Sequence, residues 1–111
     1  TLLMSTLDKK FKDKLEAIVA QHIGDNNFNV DRLAELLCLG RTTVYNRMKS
    51  IMGVSPNIYI QNERLRIAAK LLLEGEYTVS EISEKVGFSD STYFYKCFKN
   101  KYGIAPSKYG K

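Results

Sequence analysis

One helical pattern occurs twice in this chain, and the repeat limits what the chain can fold into. The first copy runs from Val30 to Pro56 and the second from Val79 to Pro106. Val30, Leu33, Leu37 and Leu39 recur as Val79, Ile82, Val86 and Phe88 at an offset of 49 residues. Val44, Met48, Lys49, Gly53, Val54 and Pro56 recur as Phe94, Phe98, Lys99, Gly103, Ile104 and Pro106 at an offset of 50. One residue is therefore inserted in the turn of the second copy. Two copies are too few for a solenoid, and each reads as helix, short turn, helix.

Between the copies lies PNIYIQNERLRIAAKLLL, residues 56–73, which reads as one long helix. Ser55 is placed to cap it, Pro56 suits a first helical position that needs no N–H, and Gly75 ends it. Leu65, Ala68, Ala69 and Leu72 make one apolar stripe, and Ile60, Ile67 and Leu71 make a second. Two stripes predict two packing partners, one per copy.

The rest of the chain fits the same scheme. From Asp8 to about Ile23, Phe11, Leu15, Ile18 and Val19 recur at helical spacing; residues 1–7 read as a lead-in without signal. Gly24 to Asn27 breaks that helix. Asn29 is the expected cap of a helix from Val30 to Leu37, with Phe28 and Leu33 as a hydrophobic staple. After the Leu39-Gly40 turn, a helix from Arg41 to Met52 turns Val44, Met48 and Ile51 inward. Thr78 to Glu81 spells a capping box. Phe88 packs inward, and Ser89 or Asp90 caps a helix from Ser91 to Tyr102 with Phe94, Phe98 and Tyr102 inward. Ala105-Pro106-Ser107 starts a last turn. No segment alternates with period two, so the fold class is all-α. The expected parts are a lead-in and first helix over 1–27, a first helix-turn-helix unit over 28–55, a linking helix over 56–74 and a second unit over 75–111.

Composition excludes several functions. No nucleophile–base pair, metal set or phosphate loop is present, so no enzyme activity and no cofactor is expected. His22 is the single histidine. Cys38 and Cys97 match no metal spacing and are expected as two buried free thiols of a reducing compartment. No apolar run is long enough to span a membrane, so membrane contact by this stretch is not expected. The first residue is Thr1 rather than Met, which points to a piece of a longer protein.

The net charge of +5 is unevenly spread. Residues 41–62 carry three basic and no acidic side chains, and residues 91–111 carry five basic and none acidic. The positive charge thus falls on the second helix of each copy, which points to a polyanion. The outward faces of those helices hold large hydrogen-bonding side chains: Arg41, Thr42, Tyr45, Asn46 and Lys49 in the first, Ser91, Thr92, Tyr95, Lys96 and Lys99 in the second. The second helix of a helix-turn-helix enters the major groove, where each base pair shows a distinct donor and acceptor pattern. Lys49, Lys96, Lys99 and Lys101 suit phosphates, and the start of each second helix can offer its own N–H groups to one. Eighteen residues of linking helix span roughly 27 Å, which with loop width approaches one turn of B-DNA, ~34 Å. Two successive major grooves on one face are then within reach. The rival reading is a helical protein-interaction module without DNA binding, which requires apolar residues where Thr, Asn, Lys and Ser stand. Arg64 and Arg66 are read as structural, and Arg47 is assigned to neither face.

The stretch RLRIAAKLLLEGEYTVSEISEKVGFSDSTYFYKCFKNKYGIAPSKY, residues 64–109, resembles the AraC/XylS family of bacterial transcription regulators. Arg64-Leu65, Ala68, Leu71-Leu72, Val79, Ile82, Val86-Gly87-Phe88, Tyr93-Phe94, Phe98-Lys99, Gly103 and Pro106 carry the likeness. Gly53 to Pro56 and Tyr59-Ile60 extend it into the first copy. The resemblance implies seven helices, two helix-turn-helix units on a long linking helix, and sequence-specific binding of double-stranded promoter DNA in the cytoplasm. It implies base contacts at Thr42, Tyr45 and Asn46 and at Ser91, Thr92 and Lys96, and RNA polymerase as a further partner. The chain departs from the family at Gly40-Arg41, where many members carry Ser or Thr, and at Gly110, where Arg is usual. The N-terminal segment and first unit are also similar to output domains of hybrid two-component regulators. In such a protein a membrane anchor and any dimerisation would reside in parts outside this chain.

Overall fold

The computed structural model describes residues 5–110. Among these it contains α1 (Thr6–His22), α2 (Val30–Leu37), α3 (Arg41–Met52), α4 (Pro56–Glu74), α5 (Val79–Lys85), α6 (Ser91–Tyr102) and α7 (Pro106–Tyr109), and no strand. The architecture is all-α, as the periodicity predicts. Packing divides the chain into two units. The first comprises α1 and Phe28–Ile60; the second comprises Ile23–Asn27 and the chain from Gln61 onward. The changes of unit fall between His22 and Ile23 at the end of α1, between Asn27 and Phe28, and inside α4 between Ile60 and Gln61. A helix end marks where backbone hydrogen bonding stops; a unit boundary marks where side chains change packing partners.

In the first unit α1 begins earlier than its apolar pattern. Asp8 N–H donates to Ser5 Oγ at 3.0 Å and Lys9 N–H to Ser5 O at 2.9 Å, so Ser5 caps the helix. Of the expected lead-in, residues 1–4 lie outside the described residues and Thr6-Leu7 belong to the first turn. Phe11, Leu15 and Val19 are buried at i, i+4, i+8 spacing. The His22 ring stacks on Phe28 with centroids 5.2 Å apart. Asn29 Oδ1 accepts from Arg32 N–H at 3.0 Å, the expected cap, and Phe28 and Leu33 are both buried. An eight-residue helix such as α2 is not stable alone. It persists because Val30, Leu33, Ala34 and Leu37 are buried, at roughly 1.5–3 kcal/mol for each large one.

In the second unit Leu65, Ala68, Ala69 and Leu72 of α4 meet Ile82 and Val86, Phe88, and Phe94 and Phe98 of α6 in one core. Ile67 and Leu71 pack on the edge of that same core. The two stripes of α4 therefore do not serve two units. The helix is shared along its length, with Ile60 buried in the first unit and both stripes beyond it turned to the second. The α5 capping box is complete: Glu81 N–H donates to Thr78 Oγ1 at 3.1 Å and Thr78 N–H to Glu81 Oε1 at 2.8 Å. The bond from the Thr78 backbone N–H, and after it one from the Thr78 side chain, hold the Glu81 carboxyl below its ordinary pKa. Of the two candidates before α6, Asp90 is the cap. Phe98 lies at the centre of an aromatic cluster, with ring centroids 5.8 Å from Phe94, 4.6 Å from Tyr102 and 5.2 Å from Tyr109. Burial there pushes the Tyr102 phenol up.

Arg64 fastens the 23–27 turn to this unit. Its Nη2 donates to Asp25 O at 2.8 Å and its Nε to Ile23 O at 3.3 Å. Burial lowers the guanidinium pKa and the Asp25 charge opposes that shift. Gly110 lies so close to the Leu72 carbonyl that a Cβ would overlap its oxygen.

The expectation of two buried thiols is not met. Cys38 is exposed and Cys97 half-buried. Cys38 is the C-cap of α2 with φ +58, a left-handed residue whose side chain leaves the apolar face that its position in the pattern suggests. Cys97 Sγ accepts from Gln61 Nε2 at 3.4 Å at the edge of the α4–α6 contact.

Candidate nucleic-acid interface

α3 and α6 repeat one another in exposure as well as in sequence. Residues 41–50 and 91–100 show the same order of buried, half-buried and exposed positions, with Val44 and Met48 answering to Phe94 and Phe98. The inward pairs root each helix in its own unit. Arg41, Thr42, Tyr45, Asn46 and Lys49 are all exposed on α3; Ser91, Thr92, Tyr95, Lys96 and Lys99 are all exposed on α6. Each set spans two turns of one helix, and each helix follows a short turn. Tyr45 and Tyr95 keep 48% and 41% of their surface, so neither is a packing residue of the core.

The two helix starts differ. Gly40 offers no side chain to cap α3, so its first N–H groups remain for an outside acceptor. At α6, Asp90 Oδ1 already accepts from Thr92 N–H at 2.9 Å and from Tyr93 N–H at 3.5 Å. The cap side chain thus takes two of the first N–H groups at α6 and none at α3. Asp90 stands at the cap position that Gly40 holds in the first unit, and its acid occupies the α6 end. Lys49 and Lys99 lie in the last turns of α3 and α6, where a cation also complements the helix dipole.

Three neighbours of this face escape a reading by pattern. Arg41 Nε lies 3.0 Å from Asp31 Oδ1, at the start of α2. Opposite charges at the starts of consecutive helices were the available signal. Arg47 is turned back to α1: its guanidinium sits 4.3 Å from the Phe11 centroid and 3.8 Å from Asp8 Oδ1. Gln61 Nε2 lies 3.2 Å from Tyr93 Oη, and both residues line a polar groove with Asn62, Lys96, Asn100 and Lys101. Among the described residues no group of three or more His, Cys, Asp or Glu is placed to hold a metal ion. No helix among them is long and apolar enough to cross a membrane.

Comparisons place this geometry among known proteins. A helix-turn-helix domain family matches residues 33–111. The chain is 35% identical over 108 residues to histidine kinase P4 of Formosa agariphila, covering 97% of this chain and 8% of that protein. It superposes with a TM-score of 0.87 and 31% identity on the C-terminal domain of the two-component response regulator yesN of Fusobacterium nucleatum, covering 92% of this chain and 99% of that one. The DNA-binding domain of the global transcriptional factor AdpA, solved with a target DNA, superposes with a TM-score of 0.83 and 26% identity, covering 88% of this chain and 87% of that one. The chain spans less than half the length of the curated relatives it matches.

Proposed function

This chain belongs to the AraC-type helix-turn-helix domain family, and from that premise we propose that α3 and α6 are its two reading helices. It binds DNA sequence-specifically in transcription regulation. α3 reads base edges with Arg41, Thr42, Tyr45 and Asn46, and α6 with Ser91, Thr92, Tyr95 and Lys96. Lys49 and Lys99 neutralise phosphates. The observation that carries this reading is the matched exposure of ten polar side chains on two helices whose inward pairs Val44/Met48 and Phe94/Phe98 are fully buried. Unlike residues on the two helices make a non-palindromic site the natural target.

The chain acts as the output domain of a longer two-component protein in the bacterial cytoplasm. Bound at a promoter, it positions RNA polymerase, and any dimerisation comes from segments beyond this chain. Likeness to a histidine kinase and to a response-regulator domain supports that assignment.

The test is selection of a duplex from a random pool, followed by mobility shifts across a salt series. Binding should weaken with a log–log slope of about −0.9 per phosphate neutralised. A flat salt response, or no selected sequence, would overturn the reading. A protection footprint should cover two neighbouring grooves; a footprint over one would restrict reading to a single unit.

A further inference from the structure

We propose that Asp31 is a specificity-determining residue, which acts by turning Arg41 from a phosphate clamp into a base reader. The inference rests on the reading that α3 enters a major groove. Arg41 is the first residue of α3, and Asp31 lies in the first turn of α2. The Arg41 Nε to Asp31 Oδ1 distance is 3.0 Å, yet the side chains keep 70% and 66% of their surface. A pair so exposed adds little to stability. Its consequence is orientation and charge.

An arginine at the lip of a groove has two competing targets. Phosphates attract it regardless of sequence, whereas a guanine offers O6 and N7 to two parallel N–H groups. A carboxylate on Nε leaves the Nη1–Nη2 edge for such a bidentate contact. It also cancels the charge that would otherwise pull the side chain to the backbone, and it repels phosphate itself. The second unit lacks this device. At the offsets of the repeat, Ser80 and Ser91 stand where Asp31 and Arg41 stand in the first. The two units therefore divide the task differently: the first carries a held arginine, and the second meets DNA with hydroxyls and lysines.

The experiment compares the 111-residue chain with Asp31→Asn, Arg41→Ala and the double variant, on the selected duplex and on a scrambled duplex of equal length. Asp31→Asn should bind the scrambled duplex more tightly and steepen the salt slope by about 0.9, one further phosphate. It should lower the ratio of specific to non-specific binding about tenfold, the scale of one base-pair discrimination, with the lost preference confined to one position. Arg41→Ala should lose preference at that same position. The double variant should be no less selective than Arg41→Ala. The inference fails if Asp31→Asn leaves slope and preference unchanged, or if its effect adds in full to that of Arg41→Ala. Failure of the unmodified chain to select any duplex would sink the DNA-reading assignment itself, a result distinct from either.

Discussion

Cys38 and Gly87 occupy the same place in the two units, and both are left-handed, with φ +58 and +89. Each ends the first helix of its unit with the same pair of bonds. Cys38 N–H donates to Glu35 O and Leu39 N–H to Ala34 O; Gly87 N–H donates to Glu84 O and Phe88 N–H to Ser83 O, all at 3.0 Å. A side chain in this conformation costs roughly 1–2 kcal/mol. Cys38→Gly should therefore raise stability by about 0.5–1 kcal/mol, the gain being reduced by glycine's greater freedom when unfolded. The reverse exchange is not symmetrical. A Cβ at Gly87 would lie 2.7 Å from Arg64 Nε and overlap the Ile23 carbonyl oxygen. Gly87→Ala should cost more than 2 kcal/mol in urea unfolding, since strain and displacement of the Arg64 bonds add. A neutral Gly87→Ala would refute this packing.

Arg64 makes its own prediction. Arg64→Leu removes two charge-assisted bonds to the Ile23 and Asp25 carbonyls and should cost about 2–4 kcal/mol. Arg64→Lys should recover less than half, because one ammonium cannot span both acceptors with the geometry of the planar fork. Hydrogen exchange should quicken first in the second unit. Full rescue by lysine would mean that charge alone matters.

Phe98 is fully buried and touches three other rings. Phe98→Ala should cost about 3–5 kcal/mol. Phe98→Met, which imports the residue found at the equivalent Met48, should cost under half of that, because methionine fills irregular space without the ring contacts. Equal losses for the two variants would show that the ring contacts, not volume, carry the site.

Glu81 links stability to pH. Its folded pKa lies below the unfolded value near 4.5, chiefly through the Thr78 backbone bond. The folded state therefore binds fewer protons. The contribution is complete above pH 4.5 and is lost as pH falls through the folded value. Thermal melts of Glu81→Gln should fall below those of the unmodified chain at pH 7 and converge with them toward pH 3. A constant gap across that range would exclude the carboxylate as the cause.

On DNA, Asn46→Ala and Lys96→Ala should each relax discrimination by about 1–3 kcal/mol at one base pair. Lys49→Ala and Lys99→Ala should weaken all sequences alike and reduce the salt slope by about 0.9 each. Uniform weakening by Asn46→Ala would move that residue to the phosphate contacts.

Much of this could be read without coordinates because its causes are local. Caps at Asn29 and Thr78, the stops at Gly53 and Gly103, and the buried i, i+4 pairs Val44/Met48 and Phe94/Phe98 each depend on residues within one or two turns. The same locality placed ten polar side chains on two outward faces. What spacing could not supply is everything joined across the chain. Arg47 meets Phe11 and Asp8, Arg64 meets a turn some 40 residues earlier, and Arg41 meets Asp31 only because a turn brings two helix starts together. Helical periodicity assigns a face to a residue; which neighbour stands against that face, as for the stripes of α4 or the exposed Cys38, depends on the packing of the whole unit.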